Sequence, residues 1–140
     1  MTTKTLLALS IAAASMQAIA LPLSLSYDIN SGPYASDGGT FFDMTFTGTA
    51  ITTPGSDAIH LAGINDMTGL TSNANITVSG TGVSGIKIAE GIIDPTQQSV
   101  FNNSVSSNGT INATGDNAFG LDISNSSIGG ELGVFGDITA

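Results

Sequence analysis

Two stretches of this chain repeat one phrase 35 positions apart, and any fold must give both copies equivalent surroundings. Residues 76–88, ITVSGTGVSGIKI, lie over residues 111–123, INATGDNAFGLDI, without a gap. Ile76 meets Ile111, Gly80 meets Gly115, Gly85 meets Gly120, Ile86 meets Leu121 and Ile88 meets Ile123. A weaker copy, ITTPGSDAIHLAG at residues 51–63, aligns at an offset of 25, with Ile51 on Ile76, Gly55 on Gly80, Ala58 on Val83 and Leu61 on Ile86. His60 then stands where the stronger copies have Gly85 and Gly120. Ile138-Thr139-Ala140 restarts the phrase 27 positions after Ile111. The long spacing contains PTQQSVFNNSVSSN, residues 95–108, which is expected to be an insertion in the loop of one unit.

Repeats of this length signal a repeat architecture. The local period selects which one. Helical spacing is missing from the copies, and β-branched residues separated by Gly and Asn dominate, so each unit is expected to hold two or three short strands. Such a unit cannot bury its apolar face alone. Stacked on the next, it forms a parallel sheet with equivalent side chains in register. Ile76 and Ile111 would share one interior column, and Ile88 and Ile123 another. Gly80 and Gly115 would serve turns that need positive φ or close approach. Ahead of the repeats, Thr40 to Thr52 alternates with Phe42, Met44 and Phe46 on one face and Asp43, Thr45 and Thr47 on the other, the pattern of a half-buried strand; Phe41 is out of step. The expected division is a signal segment at 1–20, an N-terminal cap at 21–50 and open-ended repeats at 51–140.

The first twenty residues have the three parts of a cleavable secretory signal. Lys4 follows the amino terminus, TLLALSIAAA is apolar, and Ala18-Ile19-Ala20 is an A-x-A site with cutting expected before Leu21. The apolar run is broken by Ser10, Ser15 and Gln17 and is too short to span a bilayer comfortably. Cleavage would leave Lys87 as the one Lys or Arg against all eleven carboxylates. So acidic a surface repels phosphate backbones and anionic lipid, which excludes nucleic acid as a partner. There is no cysteine. An exported domain of this size often relies on disulfides; stacked repeats stabilise one another without them.

No motif carries catalysis, a cofactor or a metal, so no site residues are assigned. His60 is the only histidine, with Ser56 and Asp57 beside it, but a triad is defined by geometry rather than proximity in sequence. Gly82-Val83-Ser84-Gly85-Ile86 fails the nucleophile-elbow pattern at its last position. Asp116, Asp122, Glu131 and Asp137 are the candidates for paired glycosidic carboxylates, and as solvated turn residues they need no such role. A repeated calcium site is not expected either, because the residue equivalent to Asp122 in the preceding copy is Lys87. The sequons at Asn75, Asn102, Asn108, Asn112 and Asn125 are expected by chance in so Asn/Ser/Thr-rich a chain.

INATGDNAFGLDISNSSIGGELGVFGDITA resembles the repeats in passenger regions of bacterial autotransporters (type V secretion). The similarity covers residues 108–140 well, 73–93 moderately and 51–64 poorly. It implies an all-β, right-handed parallel β-helix, exported through the Sec pathway and displayed at the outer membrane or cell surface, or released. It also implies a C-terminal β-barrel translocator, absent from this sequence, so the chain is expected to be the N-terminal part of a longer passenger. The expected role is structural and adhesive, without catalysis, with partners on a host surface or other cells. The alternatives are a secreted polysaccharide-cleaving β-helix enzyme and a stand-alone fimbrial-type β-sandwich.

Overall fold

A computed structural model describes residues 23–51, 55–66 and 68–140. The expected signal segment, residues 1–20, lies outside them. The regular structure among them is almost entirely short strands: β1 (Leu23–Asp28), β2 (Tyr34–Asp37), β3 (Thr40–Thr47), β4 (Thr49–Ile51), β5 (Ile59–Ala62), β6 (Asn65–Asp66), β7 (Leu70–Ser72) and β8 (Asn75–Ser79). They continue as β9 (Ser84–Ala89), β10 (Ser99–Phe101), β11 (Val105–Ser107), β12 (Ile111–Thr114), β13 (Phe119–Ile123), β14 (Ser126–Ile128), β15 (Leu132–Val134) and β16 (Ile138–Thr139). One 3₁₀ turn, Ile29–Ser31, follows β1.

The chain runs in circuits. β2 to β4 make the first, β5 to β8 the second, β9 to β12 the third and β13 to β16 the fourth. Each strand lies on its equivalent one circuit away. Two four-stranded sheets have the orders β16-β12-β8-β4 and β13-β9-β5-β2. The eight-stranded sheet runs β14-β10-β6-β3-β7-β11-β15, with β1 also on β3. It is bent, because the first half of β3 pairs with β6 and its second half with β7. Every strand pair among the described residues is parallel. The antiparallel ladders of a fimbrial β-sandwich are not what these strands form.

The echo in the sequence is this register. Ile76 pairs with Ile111, Ile86 with Leu121 and Ile88 with Ile123. Strands β8 and β12 alternate cleanly, with Ile76, Val78, Ile111 and Ala113 buried and their neighbours exposed. The polar side chains keep the same spacing outside: Asn108 donates to Asn73 Oδ1 at 2.8 Å, and Asn75 Oδ1 accepts from the Thr110 amide and hydroxyl, both at 3.0 Å. Interior columns such as Ile59–Ile86 and Leu61–Ile88 are fully buried, and each such side chain contributes about 1.5–3 kcal/mol. At the N-terminal side the rings of Tyr27, Tyr34 and Phe46 pack together, with centroids 4.9 to 6.3 Å apart.

Four expectations need correction. The weak copy is not in register at 25: Ala50, not Ile51, pairs with Ile76, and Ile59 pairs with Ile86. The turn glycines Gly55 and Gly80 do sit together, with the Gly55 amide on the Ser79 carbonyl, but three residues separate Gly55 from Ala58 where five separate Gly80 from Gly85. The strands after the turn are therefore offset by 27, His60 lies beside Lys87, and Ala58 takes the place of Gly85. Second, residues 95–108 are not one loop, since β10 and β11 lie within them and bury Phe101 and Val105. The added chain is the loop at 90–98. Third, Phe41 packs against the core while Phe42 is 50% exposed, because the bend in β3 interrupts the alternation between Phe42 and the buried Met44. Fourth, stacking starts before Ile51, since β2, β3 and β4 already form a full circuit.

Candidate functional site

Two features stand out from the wall of stacked strands. The first is the loop at 90–98. It leaves the third circuit after β9 and reaches across the second to the first. The Asp37 carboxylate, at the end of β2, accepts from the amides of Ile92 at 2.7 Å and Ile93 at 3.0 Å. Gln97 Nε2 donates to the Gly63 carbonyl at 2.6 Å, and Ser99 Oγ bridges the Ala89 carbonyl and the Ile64 amide. Within the loop, Asp94 accepts from the hydroxyl and the amide of Thr96, which hold its carboxyl below the usual range. Glu90 is also held low, chiefly by its own backbone amide and then by Asn125. The result is a clamped loop whose tip presents Ile92 and Ile93 at 67% and 89% exposure.

The second feature is a shallow open groove of about 200 Å³ along the bend of the eight-stranded sheet. Outward side chains of successive circuits line it: Thr45, Thr71 and Ser106 are register neighbours, one strand apart. Beside them run Asp43, then Thr68 and Gly69, then Asn103 and Ser104. Under this wall lies Asp66, wholly buried, in an interior column between Phe41 and Phe101. Its Oδ1 accepts from the amides of Thr68 and Gly69. Burial, with a smaller push from the charge of Asp43, raises its pKa against those two hydrogen bonds. Asp66 Oδ2 and Thr68 Oγ1 are buried and have no hydrogen-bond partner.

The residues weighed for catalysis are placed as follows. His60 Nδ1 lies 3.3 Å from Asp57 Oδ2, and Asp57 Oδ1 accepts from the Ser84 amide at 2.6 Å. Ser56, the serine weighed with His60 and Asp57, is half-buried in the segment just before β5, and Ser84, the serine of residues 82–86, is buried on β9. Lys87 Nζ sits 3.9 Å from Asp122 Oδ2, as their shared register position requires. Asp116 follows β12, Asp122 lies on β13, Glu131 precedes β15 and Asp137 precedes β16, so the four acids are spread around the circuit rather than gathered in one groove. Among the described residues no group of three or more His, Asp or Glu converges.

Asp66 and Thr68 were not singled out by motif or spacing. The signal was available in the repeat itself, because an offset of 35 carries Asp66 onto Phe101, which puts a carboxylate in an apolar column. Set against known protein families, curated proteins and solved structures, the chain matches none of them.

Proposed function

We propose that the chain is a segment of a right-handed parallel β-helix from a surface-displayed autotransporter passenger, exported through the Sec pathway, with a structural and adhesive role. The observation that supports this most is the combination of a stacked wall with a clamped lateral loop. Parallel strands in fixed register make a stiff support, and the right-handed crossover is the general rule for parallel connections. Residues 90–98 leave that support and hold two isoleucines in solvent at a fixed height. Exposed apolar residues on a rigid loop are a contact surface that loses little entropy on binding. The acidic wall suits partners of neutral or basic surface over nucleic acid or anionic lipid.

The test is adhesion of beads coated with the full chain to mammalian and bacterial cells. A variant with Ile92 and Ile93 both changed to Ser should lose most of that adhesion with its far-UV circular dichroism unchanged. Undiminished adhesion would remove the loop from the role. A mostly helical spectrum would remove the β-helix itself. The relation to autotransporters has its own check in the DNA beyond the codon for Ala140, where an in-frame run of barrel strands is expected.

A further inference from the structure

We propose that the groove along the bend of the eight-stranded sheet binds a neutral glycan chain. Three successive circuits build its wall. Thr45, Thr71 and Ser106 stand in register, so their hydroxyls recur at the spacing of neighbouring strands, about 4.8 Å. Beside them a second polar row runs from Thr68 to Asn103, equivalent positions 35 residues apart. Gly69, at φ +144°, lets these circuits close up at the bend, since a Cβ there would collide with the Ser104 carbonyl. The Leu70 amide donates to that same carbonyl at 3.0 Å.

The chemistry of the lining selects the ligand. It offers hydroxyls, one carboxamide and one carboxylate, with no basic residue and no large apolar side chain besides the buried Met44. An anion would meet Asp43 uncompensated, and an apolar ligand would find little to cover. A peptide strand would find no free edge, because β3, β7 and β11 are already paired with one another. A polyol suits what is there, since each sugar hydroxyl donates and accepts as Thr and Ser do. The wall hydroxyls are available to it. Ser106 Oγ reaches Thr71 Oγ1 and the Leu70 carbonyl only at 3.4 Å, longer than a good O–H···O bond, and Thr68 Oγ1 has no partner to lose. Asp43 adds one charge-assisted acceptor. At about 200 Å³ the groove is smaller than drug-sized sites and open, so it holds one part of a chain while the rest lies over the wall. A single carboxylate lacks the partner that glycosidic cleavage requires, so the groove holds the chain without cutting it. None of these residues belongs to the loop at 90–98, and the site stands apart from the adhesive tip proposed above.

The test is an NMR titration of the isotope-labelled full chain with cellohexaose, maltohexaose, mannohexaose and chitohexaose, with hexagalacturonate as the anionic comparison. At least one neutral oligosaccharide should shift the amides of Thr45, Thr71 and Ser106 together, with Kd on the order of 1 mM from a few ordinary hydrogen bonds, and hexagalacturonate should not. Thr71→Val keeps the β-branched shape, removes the central hydroxyl and should weaken that binding about fivefold. Ser106→Ala should do the same one circuit on, and decides alone if Thr71→Val fails to fold. A variant with Ile92 and Ile93 both changed to Ser should bind the oligosaccharide as wild type does; a loss there would place the site on the loop instead. No shift of the groove amides by any of the four at about 20 mM would overturn the proposal. So would shifts centred elsewhere, unchanged binding in both hydroxyl variants, or hexagalacturonate binding as well as the neutral chains.

Discussion

Gly85 is where the stacking can be tested most sharply. It lies on β9, buried, facing the first residue of β12 in the same circuit. A Cβ added there would collide with Ile111 Cγ2 and stand 2.7 Å from the Gly120 carbonyl oxygen. Neither neighbour yields cheaply. Ile111 is 1% exposed and β-branched, with little rotamer freedom, and Gly120 belongs to the next strand of the ladder. Overpacking of this kind costs about 1–3 kcal/mol, and two rigid neighbours argue for the upper half. Against that, Gly→Ala restricts the unfolded chain and returns about 0.4–1 kcal/mol. The collision wins, and Gly85→Ala should destabilise by roughly 2 kcal/mol. Ile111→Ala alone should cost about 3 kcal/mol through its cavity. In the double variant Cγ2 is gone but the Gly120 oxygen remains, so the cost should fall about 1 kcal/mol below the sum. Urea unfolding followed by circular dichroism measures all three. Gly120→Ala is the internal control. Its closest collision is with Cγ2 of Ile138, a side chain 39% exposed that can turn away, so its cost should be the smaller. A neutral Gly85→Ala, or strict additivity with Ile111→Ala, would refute the knob-and-gap account of the repeat.

Other outcomes follow from the same contacts. Asp37→Ala removes the acceptor for the Ile92 and Ile93 amides, and hydrogen exchange at those amides should quicken about fivefold with the strands unaffected. Ile88→Ala, in a fully buried column, should cost about 2–5 kcal/mol, whereas Ile93→Ala should stay within about 0.5 kcal/mol by the same unfolding assay. Ser107→Ala deletes a buried hydroxyl that has no partner and should raise stability by up to about 1 kcal/mol; a loss of stability would mean the hydroxyl is satisfied. Asp94 has a folded pKa below its ordinary 3.8 because Thr96 bonds its ionised form. Its support of the loop is therefore complete above that value and is lost as pH falls through the folded pKa. As pH drops below about 3.8, pepsin cleavage within residues 90–98 should rise more steeply than in Asp94→Asn digested at the same pH values.

The parts of the fold legible in the sequence are those where backbone pairing and side-chain type change together. Ile76 on Ile111 and Ile88 on Ile123 carry both, so a gapless alignment found their pairing. The weak copy misled because its most conspicuous match, Gly55 on Gly80, belongs to a turn. The turns stack at one spacing while the strands beyond them stack at another, since a turn can gain two residues without breaking the ladder. The split of residues 95–108 was hidden by composition. Serines at Ser99, Ser104, Ser106 and Ser107 look like loop residues, yet Ser99 and Ser107 are buried in strands, where a stacked circuit accepts small polar side chains. The bend between Phe41 and Met44 was hidden for another reason. It is set by β3 meeting two separate strands of the next circuit, and no residue of β3 announces it.

The loop at 90–98 then has an explanation as chain economy. Closing a longer loop adds little, only about 0.6 kcal/mol for each doubling of length. What a long loop lacks is a reason to hold one shape. Here the first circuit supplies it through Asp37, and the second through the Gly63 carbonyl. The loop in turn ties three circuits together across the outside of the wall, in a chain with no cysteine to do so. Insertion and stability thus support each other. That coupling predicts an order of events on heating: the amides of Ile92 and Ile93 should exchange before those of β9, and weakening Asp37 should lower the protection of β2 and β5 less than that of the loop. Loss of β9 protection together with the loop would mean that the third circuit depends on the clamp, and the stacked columns would not be what holds it.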